Sequence, residues 1–415
     1  QLLFAYGFDA LIQWYRGDRY QIGFGPFPIL ISINFFLWFR PEWYYWQFAI
    51  VALGFLVKSF IHWERDGQKR HIFNPSSFPL AVFSLVLILT GTTDHTFGLE
   101  IAQSLFNPPL IYLAVFLVTL PAQILFGVAT MTIASVITAY SWSLLYFGVT
   151  GTFFFRDAYI PIAVFLGMHL LFTDPATSPK SEQGRVIFGV LYASFTIALA
   201  GILEGLGAPA FYDKLLPIPI LNLMVRRIDR VAVTGFFKYL EPARILGLVG
   251  LRTPRLATAG LWAMLFGGLA LTGGVGDEHP GQYLPFWNQA CEAGNERACT
   301  YVISVERVYC ERGSGWACNE RGLTLIDKFG DTETARSDFQ RACALAFRTG
   351  CSNVIAVETG SASFAAAPPP IEDFATIIRG SKGPVTTRDP VELYSLACAR
   401  GWPDTCNGPG AGGAP

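Results

Sequence analysis

The chain has 415 residues, of which 52% are hydrophobic and only 15% charged, against about 25% charged in an ordinary soluble domain. Its formal net charge is -1, and no basic patch stands outside a set of short loops, so nothing in it points to nucleic-acid binding. The charge deficit falls on residues 1–275 and the remainder has an ordinary polar composition, so the chain divides in two, one part for lipid and one for water.

In chain order, apolar runs stand at 26–39, 43–63, 78–91, 109–126, 127–148, 158–173, 186–204, 213–225 and 257–273. The opening stretch QLLFAYGFDALIQW reads as the tail of one more. Several runs approach the roughly 20 residues that cross a bilayer, and the shorter ones fit broken or tilted membrane helices. Lys and Arg sort the loops between them. Arg16 and Arg19 precede the first full run, Arg65, Lys69 and Arg70 follow the second, and Lys180 and Arg185 follow the sixth. Arg226, Arg227 and Arg230 follow the eighth, continued by Lys238, Arg244, Arg252 and Arg255. The alternate loops hold Arg40, Arg156 and Lys214, and an uncharged-to-acidic stretch with Asp94 and Glu100. The positive-inside rule puts the basic loops in the cytoplasm and sends residues 275–415 outward. Residues 231–255, VAVTGFFKYLEPARILGLVGLRTPR, read as a helix lying in the cytoplasmic interface. No removable signal peptide is evident and Gln1 is not an initiator residue, which leaves room for a further N-terminal helix in the natural protein.

All eight cysteines lie from Cys291 onward, as Cys291 with Cys299, Cys310 with Cys318, Cys343 with Cys351 and Cys398 with Cys406. The four pairs share one spacing. Neither C-x2-C spacing nor His partners accompany them, so four local disulfides are expected rather than a metal site. Persistent disulfides need an oxidising compartment, the same side of the membrane that the charge pattern gives. ACEAGNERAC, YCERGSGWAC, ACALAFRTGC and ACARGWPDTC share a C-x7-C skeleton, with an anchor before the first Cys in FWNQAC, DFQRAC and LYSLAC. They read as helical hairpins in which the first Cys closes one helix, a Gly or turn-forming region reverses the chain, and the second Cys opens the next. These units resemble the cysteine-paired Sel-like repeats, relatives of the tetratricopeptide repeats, over most of 283–408. The resemblance implies a protein-binding solenoid rather than an enzyme. GSASFAAAPPPIEDFATIIRGSKGPVTTRDP separates the last unit from the others, and GPGAGGAP reads as a disordered tail.

Two punctuated stretches remain, RHIFNPSSF (Arg70 to Phe78) and LFTDPATSP (Leu171 to Pro179). An Asn-Pro or Asp-Pro step at a membrane edge breaks a helix, and neighbouring polar side chains satisfy the freed backbone groups. Asn74, Ser76 and Ser77 can cap the helix that starts near Phe78, while Asp174 starts a turn supported by Thr177 and Ser178. The functional alternative is that both turns converge on one cytoplasmic-side site and aim N–H groups at a ligand. These six residues are therefore the candidate cofactor-binding set.

HIFNPSSF, FTDPATSP and the following GRVIFGVLYA resemble the RnfD/NqrB family of electron-transport membrane subunits over roughly 60–230, and UnbU-type proteins are similar in the same places. The resemblance implies a flavin-carrying subunit of a redox-driven ion pump, with FMN linked through the Thr of an S-G-A-T sequence. That sequence is absent. GVATMTIAS (Gly127 to Ser135) and GVTGTFFF (Gly148 to Phe155) supply hydroxyls without reproducing it, so no flavin-linking Thr is assigned. Covalent FMN is disfavoured, and noncovalent flavin or quinone is the remaining cofactor expectation.

His169 lies in the sixth run with no second His at its depth, since His62 and His71 flank a loop and His95 an outer edge; it reads as a satisfied bundle histidine rather than a haem ligand. Glu204 reads equally as an ion-path carboxylate or an interfacial cap. No iron–sulfur, haem-c, P-loop, dinucleotide or metal motif occurs, and no catalytic residue is assigned.

The sequence predicts an all-α protein. A polytopic transmembrane bundle of about 9–10 spans covers 1–275. An extracytoplasmic, disulfide-stapled helical repeat domain covers 276–408 with an insert at about 358–388, followed by a tail at 409–415. The expected setting is a bacterial inner membrane with the repeats on the periplasmic side. The expected role is an RnfD/NqrB-like subunit of a multi-subunit electron-transport complex, its repeats binding membrane or periplasmic partner subunits. The alternative is a noncatalytic anchor or scaffold with no cofactor of its own. Whether the chain is an enzyme stays open at this stage.

Overall fold

A computed structural model describes residues 1–17, 23–65, 67–98, 101, 110–234, 254–276 and 278–367. The described chain is mostly helical, and it divides into two units. The first holds Gln1–Ser143 and Tyr159–Asp277; the second holds Leu144–Ala158 and everything from Glu278. The short segment 144–158 belongs with the cysteine-bearing part, which the composition break near residue 275 did not indicate.

Among the described residues the first unit has ten α-helices of nine residues or more: α1 (Leu2–Arg16), α2 (Pro26–Phe36), α3 (Tyr45–Phe60), α4 (Ser77–Thr90), α5 (Ile111–Phe126), α6 (Ala129–Thr150), α7 (Ile162–Leu170), α8 (Glu182–Gly205), α9 (Pro217–Ala232) and α10 (Pro254–Leu271). The last turns of α6 pass into the second unit. Each apolar run of the sequence has become one helix, and the opening stretch is α1. Pro begins α2 and α9, where its missing N–H would have had no helical partner. Two helices, Ala129–Thr150 and Glu182–Gly205, are long and apolar enough to cross a bilayer; the others are shorter. The interfacial helix expected at 231–255 lies almost entirely outside the described residues, α9 ending at Ala232.

One element was not anticipated. His62–Arg65 (β1) and Gln68–His71 (β2) pair antiparallel, with His62 opposite His71. The Asp-Gly dipeptide at 66–67 is a strong short-range hairpin signal, set among the basic residues that mark this segment as a loop.

Hydrogen bonds sort the connections into two sets, as an alternating up-and-down path requires. In one set, Arg16 Nη1 donates to Ser59 O (3.2 Å), Arg65 Nη1 to Ser178 O (3.0 Å), Arg185 Nη1 to Gly127 O (2.6 Å) and Arg255 Nη1 to Leu125 O (3.1 Å), and Arg226 donates to Glu64 O. In the other, Gln1 Nε2 donates to Tyr44 OH (2.6 Å), Arg40 Nε to Asp94 O (2.6 Å), Phe97 N to Trp38 O (2.7 Å) and Tyr112 OH to Ile160 O (2.7 Å). Thr96 Oγ1 and Tyr212 OH, 3.4 Å apart, join the second set. Among the described residues, Arg16, Arg65, Arg185, Arg226 and Arg255 of the basic loops thus gather at one end of the helices. Lys214, at the other end, is buried beside Asp213 and donates to Phe211 O.

Between those ends the helices present large apolar side chains outward, among them Leu89, Val118 and Met264, each at least 70% exposed. Inside, Phe116 stacks on Phe266 and meets Trp262 edge-on, while Phe172 stacks on Phe188 and Tyr192.

The second unit is a run of antiparallel helices, α11 (Leu284–Glu292), α12 (Glu296–Glu311), α13 (Gly315–Thr324), α14 (Thr332–Ala344) and α15 (Arg348–Glu358). Disulfides join Cys291 to Cys299, Cys310 to Cys318 and Cys343 to Cys351, each across one turn between helices. The pair at Cys398 and Cys406, most of the insert and the tail lie outside the described residues. Asn295 and Ser314 cap α12 and α13, accepting from Ala298 N and Ala317 N (both 3.1 Å).

The segment 151–158 is held to these helices by main-chain contacts. Arg297 donates to Phe153 O (3.1 Å), Phe154 O (2.9 Å) and Tyr146 OH (2.9 Å), Asn295 Nδ2 to Thr150 O (3.0 Å) and Gln282 Nε2 to Asp157 O (2.8 Å). Phe153 packs against His279 and Phe286.

Candidate functional site

Asn74 and Asp174 each build an Asx turn, the side-chain carbonyl oxygen accepting from backbone two residues on. Asn74 Oδ1 accepts from Ser76 N (2.9 Å), Ser76 Oγ (2.8 Å) and Ser77 N (3.0 Å), which starts α4. Asp174 Oδ1 accepts from Ala176 N (3.0 Å), its Oδ2 from Thr177 Oγ1 (3.1 Å), and its main-chain O from Ser178 Oγ (2.5 Å). Asn74 thus caps the start of α4, and Thr177 and Ser178 support the Asp174 turn as expected, but Ser76 Oγ and Ser77 Oγ act as donors, to Asn74 Oδ1 and to Leu171 O, and give α4 no side-chain cap.

The two turns also meet. Asn74 Nδ2 (2.9 Å) and Ser77 Oγ (3.1 Å) both donate to Leu171 O, just past the end of α7. That carbonyl sits where helical partners run out, so the start of one helix completes the end of another across 97 residues of sequence. His71 Nε2 lies 3.2 Å from Asp174 Oδ2, tying the hairpin to the second turn. Gly54 of α3 makes room for the first turn: a Cβ there would stand 2.4 Å from Pro75 O.

Residues that sequence reasoning missed complete the knot. Asn222 of α9 accepts from Asn74 N (3.1 Å) and donates to Thr177 O (3.4 Å). Asp229, one turn from the end of α9, pairs with the buried Arg65 and accepts from Lys180 N (2.9 Å). Arg226 lies over the Trp63 ring at 4.4 Å. The signals were legible: Asn222 interrupts PIPILNLMV, and Asp229 is the acid among Arg226, Arg227 and Arg230. Beside the knot, Thr130 Oγ1 donates to Glu182 Oε2 (2.6 Å), and Glu182 pairs with Arg185. Thr130, in the GVATMTIAS stretch, is thereby engaged in joining α6 to α8.

The knot consists of side chains whose groups are directed at one another's backbones. Chemically it is a lock on the connected segments, its acceptors engaged by backbone, hydroxyl, carboxamide and guanidinium donors of the chain itself.

A different polar feature lies within the helices. His169 is buried; its Nδ1 lies 2.6 Å from Phe165 O, while its Nε2 has no partner among the described residues. The expectation of a satisfied histidine holds for one ring nitrogen only. The Trp262 ring stands 5.7 Å from the imidazole, and its buried Nε1 likewise lacks a partner there. Gln123, on the same face of α5 as Phe116, is buried with both amide atoms unpaired. No second histidine approaches: His62 and His71 face each other across the hairpin, and His95 stacks on Trp43 at 4.1 Å. Glu204 is exposed near the end of α8. Among the described residues, no group of three or more His, Cys, Asp or Glu side chains could hold a metal ion.

Compared with known protein families, characterised proteins and solved structures, the chain matches none.

Proposed function

We propose that this chain is an integral membrane scaffold subunit of a larger complex, with an RnfD/NqrB-like helical part in the bilayer and an outer repeat domain that binds partner subunits. The observation that carries the scaffold role is the mutual saturation of the Asn74 and Asp174 turns. A ligand-binding pair of helix breaks would leave N–H groups directed at a vacant position; here Asn74 N, Ser76 N, Ser77 N and Ala176 N donate to the side-chain oxygens of Asn222, Asn74 and Asp174. The gathering of basic loops at one end and the apolar side chains exposed along the helices support lipid as the solvent of the first unit, since large exposed apolar surface is rare on soluble monomers. The three disulfides among the described residues support an oxidising setting for the second unit.

One observation favours a second reading, in which the same subunit carries a noncovalent flavin or quinone. His169 Nε2, Trp262 Nε1 and the Gln123 amide are buried polar groups that a carbonyl-bearing cofactor would satisfy. One preparation separates the two. The chain is purified in mild detergent with its neighbours, denatured, and assayed for flavin fluorescence and extractable quinone. The scaffold reading expects neither, with partner subunits lost when the repeats are removed. Stoichiometric flavin or quinone, reduced in a His169→Ala variant, replaces it with the cofactor reading.

A further inference from the structure

After α15 the chain passes back against the repeat helices, residues 361–367 having no secondary structure of their own. Their main chain is gripped at alternate residues. Ala365 N donates to Asn353 Oδ1 (2.7 Å) and Asn353 Nδ2 donates to Ala365 O (2.8 Å), a two-point reading of one peptide unit. Asn319 Nδ2 lies 3.4 Å from the same carbonyl and Asn319 Oδ1 accepts from Asn353 Nδ2 (2.8 Å). Two residues on, Trp316 Nε1 donates to Ala367 O (2.9 Å). Before the clamp, Phe364 enters the cluster formed by Leu325, Ala335 and Phe339, its ring 6.0 Å from that of Phe339.

Asn319 and Asn353 are at most 1% exposed. Helix packing alone would be served by apolar side chains at these positions, since a buried amide left unpaired is destabilising. Their groups are matched to the main chain of a segment outside any helix or strand, and Ala365 and Ala366 are exposed. The groove thus reads a main chain plus one aromatic side chain, which is how an extended peptide is recognised with little demand on sequence.

We propose that the face formed by Trp316, Asn319, Phe339 and Asn353 is a docking groove for an extended segment of a partner protein, an aromatic residue followed by small residues, and that Phe364–Ala367 occupies it in cis until displaced. The proposal deepens the scaffold reading, from which it takes only that the repeats meet a partner; the test below needs neither membrane nor complex, so the two can fail separately. The residue after the aromatic must supply an N–H, so proline there is excluded.

The test is fluorescence polarisation of a labelled SASFAAA peptide against the full-length chain in detergent. An occupied groove weakens apparent affinity by the fraction of time it is vacant. The strap variant Phe364→Ala with Ala365→Pro should bind the peptide at least ~10-fold more tightly than wild type. Adding Asn353→Ala should abolish that gain, and SASFPAA should not bind. With the three disulfides and helical circular dichroism intact, an unchanged affinity in the strap variant, or binding indifferent to Asn353→Ala, overturns the proposal. Should the strap variant misfold, a photoreactive peptide at millimolar concentration should crosslink wild-type chain within 316–353, and crosslinks elsewhere overturn it. Concentration-dependent dimers lost with the strap would assign the groove to a second copy and overturn a foreign partner.

Discussion

Asn74 uses one carboxamide to start α4 and to complete the end of α7, so its removal should do more than uncap a helix. Asn74→Ala orphans Ser77 N and takes one donor from Leu171 O, a change of about 1–3 kcal/mol for buried groups. Asp174→Ala releases the same 171–178 turn from its other side. The double variant should therefore be non-additive by about 0.5–3 kcal/mol, read from denaturation midpoints of the four proteins; strict additivity would mean two independent caps. The local chemistry of both turns was legible in Asn-Pro and Asp-Pro. Their meeting was not, because sequence spacing tells which residues share a turn and not which turns become neighbours. Charge supplies a second residue-scale prediction. Burial raises the Glu306 carboxyl well above its ordinary range, pushes Glu320 up to about 7, and pushes Asp338 up to about 6 despite the nearby Arg321. The folded repeats keep these protons at pH values where the unfolded chain has released them. Stability should therefore be fully present near pH 4 and decline as pH rises through 6 to 7. Thermal unfolding of the repeat helices should show that decline, and Glu306→Gln should remove part of it, raising the midpoint at pH 8 but not at pH 4. A midpoint that climbs with pH would contradict the burial argument.

At the scale of elements, the C-x7-C units show how repetition makes a fold readable. The third residue after the first Cys is Gly294 in one unit and Gly313 in the next, both with positive φ, where glycine is free of the Cβ penalty. The third unit places Ala346 there at φ 63°, followed by Phe347, which gives its helix no side-chain cap. Ala346→Gly should accordingly stabilise the repeats by about 1 kcal/mol, a rise of several degrees in their unfolding midpoint; a fall would show that Ala346 contributes packing that outweighs its strain. The Cys spacing made these hairpins legible before any coordinates, as the apolar runs did for α2 to α10. The β1–β2 hairpin was hidden by its charged side chains, and the grip of the repeats on 151–158 and 361–367 had no sequence signature, since both rest on main-chain groups that every residue carries.

At the scale of the molecule, the account joins two independent regularities, basic loops that gather at one end of the helices and cysteine pairs confined to the other part of the chain. Each is explained if the first unit lies in a bilayer with its basic loops inside and its repeats outside. The Asn74–Asp174 knot would then brace the inner end, and the repeats would present a peptide-reading groove outside. Protease accessibility tests this arrangement most directly. Cells with permeabilised outer layers and an intact inner membrane are treated with an impermeant protease, and the surviving fragments are identified by mass spectrometry. The account predicts loss of the segment beyond about residue 280 while the loops carrying Asn74 and Asp174 stay protected. Protection of that segment until the inner membrane is broken, or cleavage near Asn74 before it, would contradict the account.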